Sequence, residues 1–227
     1  MTSTTQWVEV HRLAVAGREA SIARHVGDEL GRMWLARSRF ADVARLAEHT
    51  LTLGDDAGAY YLLGSAQYST GSPWAALNSF ARALVLFQTD DDRGNVAGTL
   101  SNIGLVYDGL GDRQQALTYY EQALPIRREV GDRAGEAATL NNIGGVYNGL
   151  GDRQHALTYY EQALPLLRKV DDRRGEAATL NNIGLAHQGL GDLQEAVAYF
   201  GQALPIRREV GDRAGEATSL NNIGGVY

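Results

Sequence analysis

The chain has 227 residues, 44% hydrophobic and 21% charged, with 27 Gly but only 4 Pro, a balance that allows one or two globular domains and excludes a disordered chain. Its net charge of −6 is the reverse of the basic excess of a nucleic-acid binder, so no nucleic-acid partner is expected. With no cysteine, it offers no disulfide, thiolate zinc site or cysteine nucleophile, which fits a cytoplasmic setting.

In chain order, the first 15 residues hold no apolar run of leader length, because His11 and Arg12 interrupt them. No stretch approaches the ~20 apolar residues of a membrane span, so no membrane partner is expected. Residues 1–50 form an N-terminal helical region. Gly31, Ala36 and Phe40 stand there as a degenerate copy of a repeat that becomes clear further on. Residues 51–90 are a diverged copy. Residues 91–130, 131–170 and 171–210 align without a gap, the first two being identical at 28 of 40 positions, and residues 211–227 are the first helix of a truncated copy. Gly recurs at a 40-residue period as Gly64, Gly104, Gly144, Gly184 and Gly224. Twelve residues after the first four of these comes Ala76, Ala116, Ala156 or Ala196, and four further on Phe80, Tyr120, Tyr160 or Phe200.

Each copy predicts two helices. In residues 131–170, Leu140, Ile143 and Tyr147 recur at helical spacing, then Leu150-Gly151-Asp152 breaks the pattern. Ala156, Tyr160, Ala163, Leu164 and Leu167 give a second apolar stripe. Asp152 is a natural N-cap, and Gly151 suits a left-handed position after the first helix. The small residues Gly144, Ala156 and Ala163 mark close helix crossings. First helices are predicted near 95–109, 135–149 and 175–189, and second helices near 113–130, 153–170 and 193–210. One pair alone cannot bury its apolar faces, whereas stacked pairs can. Pro125, Pro165 and Pro205 recur inside the second helices, where proline removes a backbone hydrogen bond; a kink in each is expected.

Little in the chain points to chemistry. Gly109-Leu110-Gly111 and its copies at 149–151 and 189–191 precede helices, but no Lys-Ser/Thr follows, so turn geometry explains them better than a phosphate loop. The histidines, His11, His25, His49, His155 and His187, never pair at the i, i+4 spacing of a helical metal site. His155 replaces Gln115 of the preceding copy and is expected on the polar surface. Glu136, Glu176 and Glu216 recur once per copy in a first helical turn, where they complement the helix dipole, and recurrence argues against a unique acid–base pair. Asp90-Asp91-Asp92 reads as a solvated loop. No catalytic residue, metal or cofactor is expected.

The recurring Leu140, Ile143-Gly144, Tyr147, Ala156, Tyr160 and Ala163 resemble the tetratricopeptide repeat, over residues 57–227. The departure is length, 40 residues per copy against a family norm of ~34. The long form, with Thr139-Leu140-Asn141-Asn142 in its first helix, is similar to the repeats of kinesin light chains and Leu-Gly-Asn-type adaptors, and to the repeat arms of bacterial signalling ATPases. The resemblance implies an all-α fold, a right-handed α-solenoid of antiparallel helix pairs, with a concave peptide groove lined by first helices. Carrying the groove positions across gives Gly58, Tyr61, Ser65 and Tyr68 in the diverged copy. It gives Ser101, Leu105 and Asp108 in the next, then Asn141, Gly145 and Asn148, then Asn181, Leu185 and Gln188, and finally Asn221. Asn141, Asn181 and Asn221 would form a ladder that pairs with a peptide backbone; the alternative is that these amides are simply solvated. The second Asn of each copy (Asn102, Asn142, Asn182, Asn222) is expected to be a structural post.

The expectation is therefore a non-enzymatic scaffold that docks a peptide or protein in the groove. The alternative is a sensor or oligomerisation arm of a larger bacterial signalling ATPase or effector. The last helix presents Leu220, Ile223 and Tyr227 as an apolar face, for which a homo-oligomeric contact, two-fold or head-to-tail, is expected.

Overall fold

The structure is a computed structural model, and it describes residues 4–226. Among these residues there are twelve helices and no strand: α1 (Thr4–Ala16), α2 (Ala20–Leu35), α3 (Phe40–Leu51), α4 (Ala57–Ser69), α5 (Pro73–Thr89), α6 (Arg93–Gly109), α7 (Arg113–Glu129), α8 (Arg133–Gly149), α9 (Arg153–Lys169), α10 (Arg173–Leu190), α11 (Leu193–Glu209) and α12 (Arg213–Gly224). The bounds from α6 to α11 fall within about two residues of those read from the sequence. The chain divides into two compact units, Met1–Gly111 and Asp112–Tyr227.

The turns explain why the helices start and stop so regularly. Asp152 accepts a hydrogen bond from the His155 backbone N–H, satisfying one of the donors that a helix start leaves free. Asp92, Asp112, Asp132, Asp172 and Asp212 do the same for their own helices. Asp192 is different: its carboxylate stands 3.4 Å from His187 Nδ1 and caps nothing. Gly151 takes φ +85°, the left-handed value that a glycine after a helix adopts without strain. The acidic run expected as a loop is a complete turn, in which Asp90 ends α5, Asp91 takes φ 53° and Asp92 caps α6.

In the first unit, α2 packs against α1, α3 and α4, and α4 packs against α5 and α6. Val26, Leu30, Trp34, Val43, Leu46, Leu62 and Leu63 form its largest buried cluster with neighbouring alanines. In the N-terminal region α2 and α3 pack as a helix pair, and the register differs from the sequence expectation. Ala36 is the C-cap of α2 and Phe40 merely opens α3. The buried residues twelve and sixteen places after Gly31 are Val43 and Ala47. The cause is length: α3 has 12 residues where α5 has 17, and Gly64 lies 13 residues past the end of α3 where Gly104 lies 15 past the end of α5, so Gly31 lies 33 residues before Gly64 rather than 40.

In the second unit, α8 packs on α7, α9 and α10, and α10 packs on α9, α11 and α12. Ala156, Leu157 and Tyr160 of α9 are buried with Ile183 and Ala186 of α10, and Tyr147 of α8 packs on the same cluster, so one second helix lies between two first helices. Pro125, Pro165 and Pro205 lie inside continuous helices on exposed faces, where water can serve the carbonyl each one frees. Of the apolar face expected on the last helix, Leu220 is exposed and Ile223 half-buried; residue 227 lies outside the described residues.

The recurring glutamates do more than complement a dipole. Glu136 is buried and is held from both sides, by Arg128 Nε of the preceding helix and by Arg133 Nη1 of its own, each at 2.8 Å. Glu176 repeats the arrangement with Arg168, at 2.7 Å, and Arg173; Glu216 pairs with Arg208 at 2.6 Å. Burial opposes ionisation of Glu136, but the hydrogen bonds and charges of Arg128 and Arg133 together outweigh it, and the carboxyl sits below its ordinary value.

Candidate partner-binding surface

The first helices of the first unit enclose a cleft of about 700 Å³. α2 supplies Arg24, Asp28, Arg32 and Leu35, α4 supplies Gly58 and Tyr61, and Asp92 and Asn95 come from the start of α6. The charges largely answer one another. Arg24 Nη2 donates to the Asp55 carbonyl at 3.1 Å, and its Nε stands 3.3 Å from Asp56 Oδ2. Arg32 pairs with Asp28, and Asp92 is spent on capping. Tyr61, Leu35, Leu62 and Phe87 give the lining an apolar part, beside His25 and Asp90. Tyr61 is fixed by an edge-on contact with Phe80, centroids 5.9 Å apart.

Gly58 and Tyr61 were expected at a groove and do line this cleft. Ser65 and Tyr68 line a smaller hollow of about 150 Å³ with Asn102 and Leu105. Tyr68 donates its hydroxyl to the Leu105 carbonyl at 3.3 Å. Leu105 is exposed, Asp108 half-buried, and Ser101 half-buried with its hydroxyl turned to the Ala97 carbonyl at 2.9 Å. The contribution of α2 was missed, because its repeat does not follow the 40-residue period; the signal was the 33-residue step from Gly31 to Gly64.

In the second unit, Gly145, Leu185 and Asn221 are exposed and Asn148 and Gln188 half-buried, on α8, α10 and α12. Two amides of the expected ladder, Asn141 and Asn181, make hydrogen bonds within the fold. Asn141 Nδ2 donates to Thr179 Oγ1 at 2.6 Å, while that hydroxyl donates to the Gly175 carbonyl. Asn181 is buried, and its Oδ1 accepts from Asn222 Nδ2 at 2.9 Å. Each amide therefore ties its first helix to the next one. Asn222 behaves as the structural post expected of it.

Histidines play local roles. His155 is exposed, 2.7 Å from the Asp152 carboxylate, and stacks on Tyr147 with centroids 5.3 Å apart. His11 is buried and bonded to Thr50 Oγ1 at 2.9 Å; burial, aided by the charge of His49, pushes its imidazole below the ordinary value. Among the described residues, no group of three or more His, Cys, Asp or Glu could hold a metal ion. The surface offers hydrogen bonds and apolar contact rather than a nucleophile with its base.

Antiparallel helix pairs, joined by capped turns and locked by a small residue under an aromatic ring, define a helical-repeat protein. The chain belongs to the tetratricopeptide-repeat family, whose model matches residues 94–169 and 175–227. Among solved structures it is similar to BtubC from P. vanneervenii, at 22% identity over 90% of this chain and 88% of that one, TM-score 0.76. It also resembles a putative kinesin light chain with nearly identical repeats from Podospora anserina, at 16% identity over 82% and 95%, TM-score 0.64. A signal-transduction ATPase with a tetratricopeptide-repeat sensor from Pyrococcus horikoshii matches at 15% identity and TM-score 0.74; this chain covers 33% of it, while 91% of this chain is matched. No curated protein sequence matches significantly.

Proposed function

We propose that the chain is a non-enzymatic scaffold that docks a peptide or protein partner along its first helices. The observation that carries this reading is the cleft between α2, α4 and α6, with its fixed Tyr61 ring among polar walls. The apolar part of such a lining suits an apolar side chain, and its polar groups suit a peptide backbone. Ser101, Leu105 and Asp108 would extend the surface on α6. Gly145, Asn148, Leu185, Gln188 and Asn221 would form the corresponding wall of the second unit, with Asn141 and Asn181 behind it as junction posts. The repeating units of this scaffold would be residues 51–90, 91–130, 131–170 and 171–210, after a worn copy in 1–50 and before a partial one in 211–227. No helix among the described residues is long and apolar enough to cross a membrane, and the scaffold would work in the cytoplasm. A contact between copies through Leu220 and Ile223 of α12 is part of the same proposal; Leu220 is 47% exposed.

A second reading, a sensor arm for a signalling ATPase, draws on the fold shared with the archaeal protein named above. It would use the same wall. A pull-down with the whole chain as bait, followed by peptide mapping of the captured partner, tests the docking proposal when repeated with Tyr61→Ala. Capture that falls with Tyr61→Ala supports it. Capture unaffected by that change and by Leu105→Asp would overturn it.

A further inference from the structure

The repeats act as controls on one another. A feature that three second helices lack is not needed to build a second helix. α5 carries such a feature on its outer face. Trp74 is 70% exposed and Val85 62% exposed. With Asn78 and Ala81 they fall at i, i+4, i+7 and i+11, a straight stripe about 16 Å long. The matching residues are Gln114, Thr118, Glu121 and Pro125 on α7, and Gln154, Thr158, Glu161 and Pro165 on α9. On α11 they are Gln194, Ala198, Gly201 and Pro205. Only α5 puts a tryptophan and a valine there.

The stripe also borders a recess of about 330 Å³, formed by Ala81, Val85 and Leu86 with Tyr60 of α4. Arg82, whose long stem could have folded over the stripe, is held aside. Its Nη1 donates to the Tyr60 hydroxyl at 2.9 Å and its guanidinium lies 5.5 Å from the Tyr60 ring centre. Asp55 stands 4.0 Å from the same guanidinium, so the rim is close to neutral.

We propose that this face is a second docking surface, for one amphipathic helix of another protein, whose apolar side chain enters the recess beside Val85. The occupant follows from size and shape. The stripe exposes on the order of 300 Å² of apolar surface, well short of the about 800 Å² per partner of a stable interface. At that size it holds a transient contact only, which suits one incoming helix better than a lasting dimer of the chain. A helix about three turns long matches its length, and its i, i+3/i+4, i+7 anchors match a straight ridge on α5. The neutral rim asks for no excess of charge on the incoming helix. The surface lies on a second helix, borders α4 only through Tyr60, and uses none of the residues proposed for the first-helix wall.

The test uses the full chain and a fluorescein-labelled synthetic helix of about 16 residues, with leucine along one face and balanced Lys and Glu on the other. The variant Trp74→Gln/Ala81→Glu writes the residues of α7 and α9 into α5. Expected are saturable binding by the wild-type chain, at least about tenfold weaker binding by the variant, an unchanged melting temperature, and no binding of the same residues scrambled off one face. Equal binding by the variant, no binding at all, or a lowered melting temperature would each overturn the proposal, the last by showing that the stripe supports the fold. Self-association of the wild-type chain in sedimentation, lost in the variant, would also overturn it, because the occupant would then be a second copy.

Discussion

The Tyr160 ring of α9 lies against Gly144 of α8: a Cβ on Gly144 would stand 2.6 Å from Tyr160 Cε1 and 2.7 Å from Cδ1. Gly184 stands under Phe200, and Gly64 under Phe80, in the same way. The sixteen-residue offset between glycine and aromatic is thus the spacing across one helical turn-back, and it positions the first helices that carry the candidate site.

Gly144→Ala tests that relationship. In an open helix the change would stabilise by about 1 kcal/mol. Here the ring has to move within a packed junction, and overpacking of this kind costs about 1–3 kcal/mol. The expected net result is a loss of about 1 kcal/mol in urea unfolding. A gain would show that the ring swings aside freely.

The two asparagines of the last repeats should separate cleanly. Asn181→Ala removes the acceptor of Asn222 from a buried site and is expected to cost about 1–2 kcal/mol. Asn221→Ala, on an exposed position, should stay within about 0.5 kcal/mol. Thermal melts of the two variants decide it; equal stability would mean that the Asn181 amide is not a post.

Glu136 makes stability depend on pH in a definite direction. Its folded value lies below the unfolded one, so its contribution is complete above the ordinary carboxylate value of 4.5 and is lost as pH falls through the folded value. Both arginines are about half exposed, which limits the contribution, and Glu136→Gln should cost about 1–2 kcal/mol at neutral pH. The gap between wild type and variant should close in acid, below the ordinary carboxylate value. A gap that stayed constant down to pH of about 3 would show that the charge is not what matters.

Helix positions were legible because four copies of one pattern repeat the same Gly, Ala, aromatic and Asp markers. The N-terminal copy misled because its step from glycine to glycine is seven residues shorter, five of them in the second helix, so a fixed period slid Phe40 onto the place that Ala47 occupies. The Asn ladder had the right period. Whether such an amide meets a ligand or a neighbouring helix depends on its partners, and Thr179 and Asn222 are visible only once neighbouring helices are packed. The clamp on Glu136 was hidden for the same reason, since Arg128 reaches it from the preceding helix. Trp74 stood in the sequence at the place of Gln114, but its exposure could be read only from the fold.

Hydrogen exchange of the whole chain, alone and with the mapped partner peptide, tests the docking account most directly. Slowed exchange concentrated on α2, α4 and α6 around Tyr61 and Leu105 is the expected result. Protection that spared these helices would contradict the account.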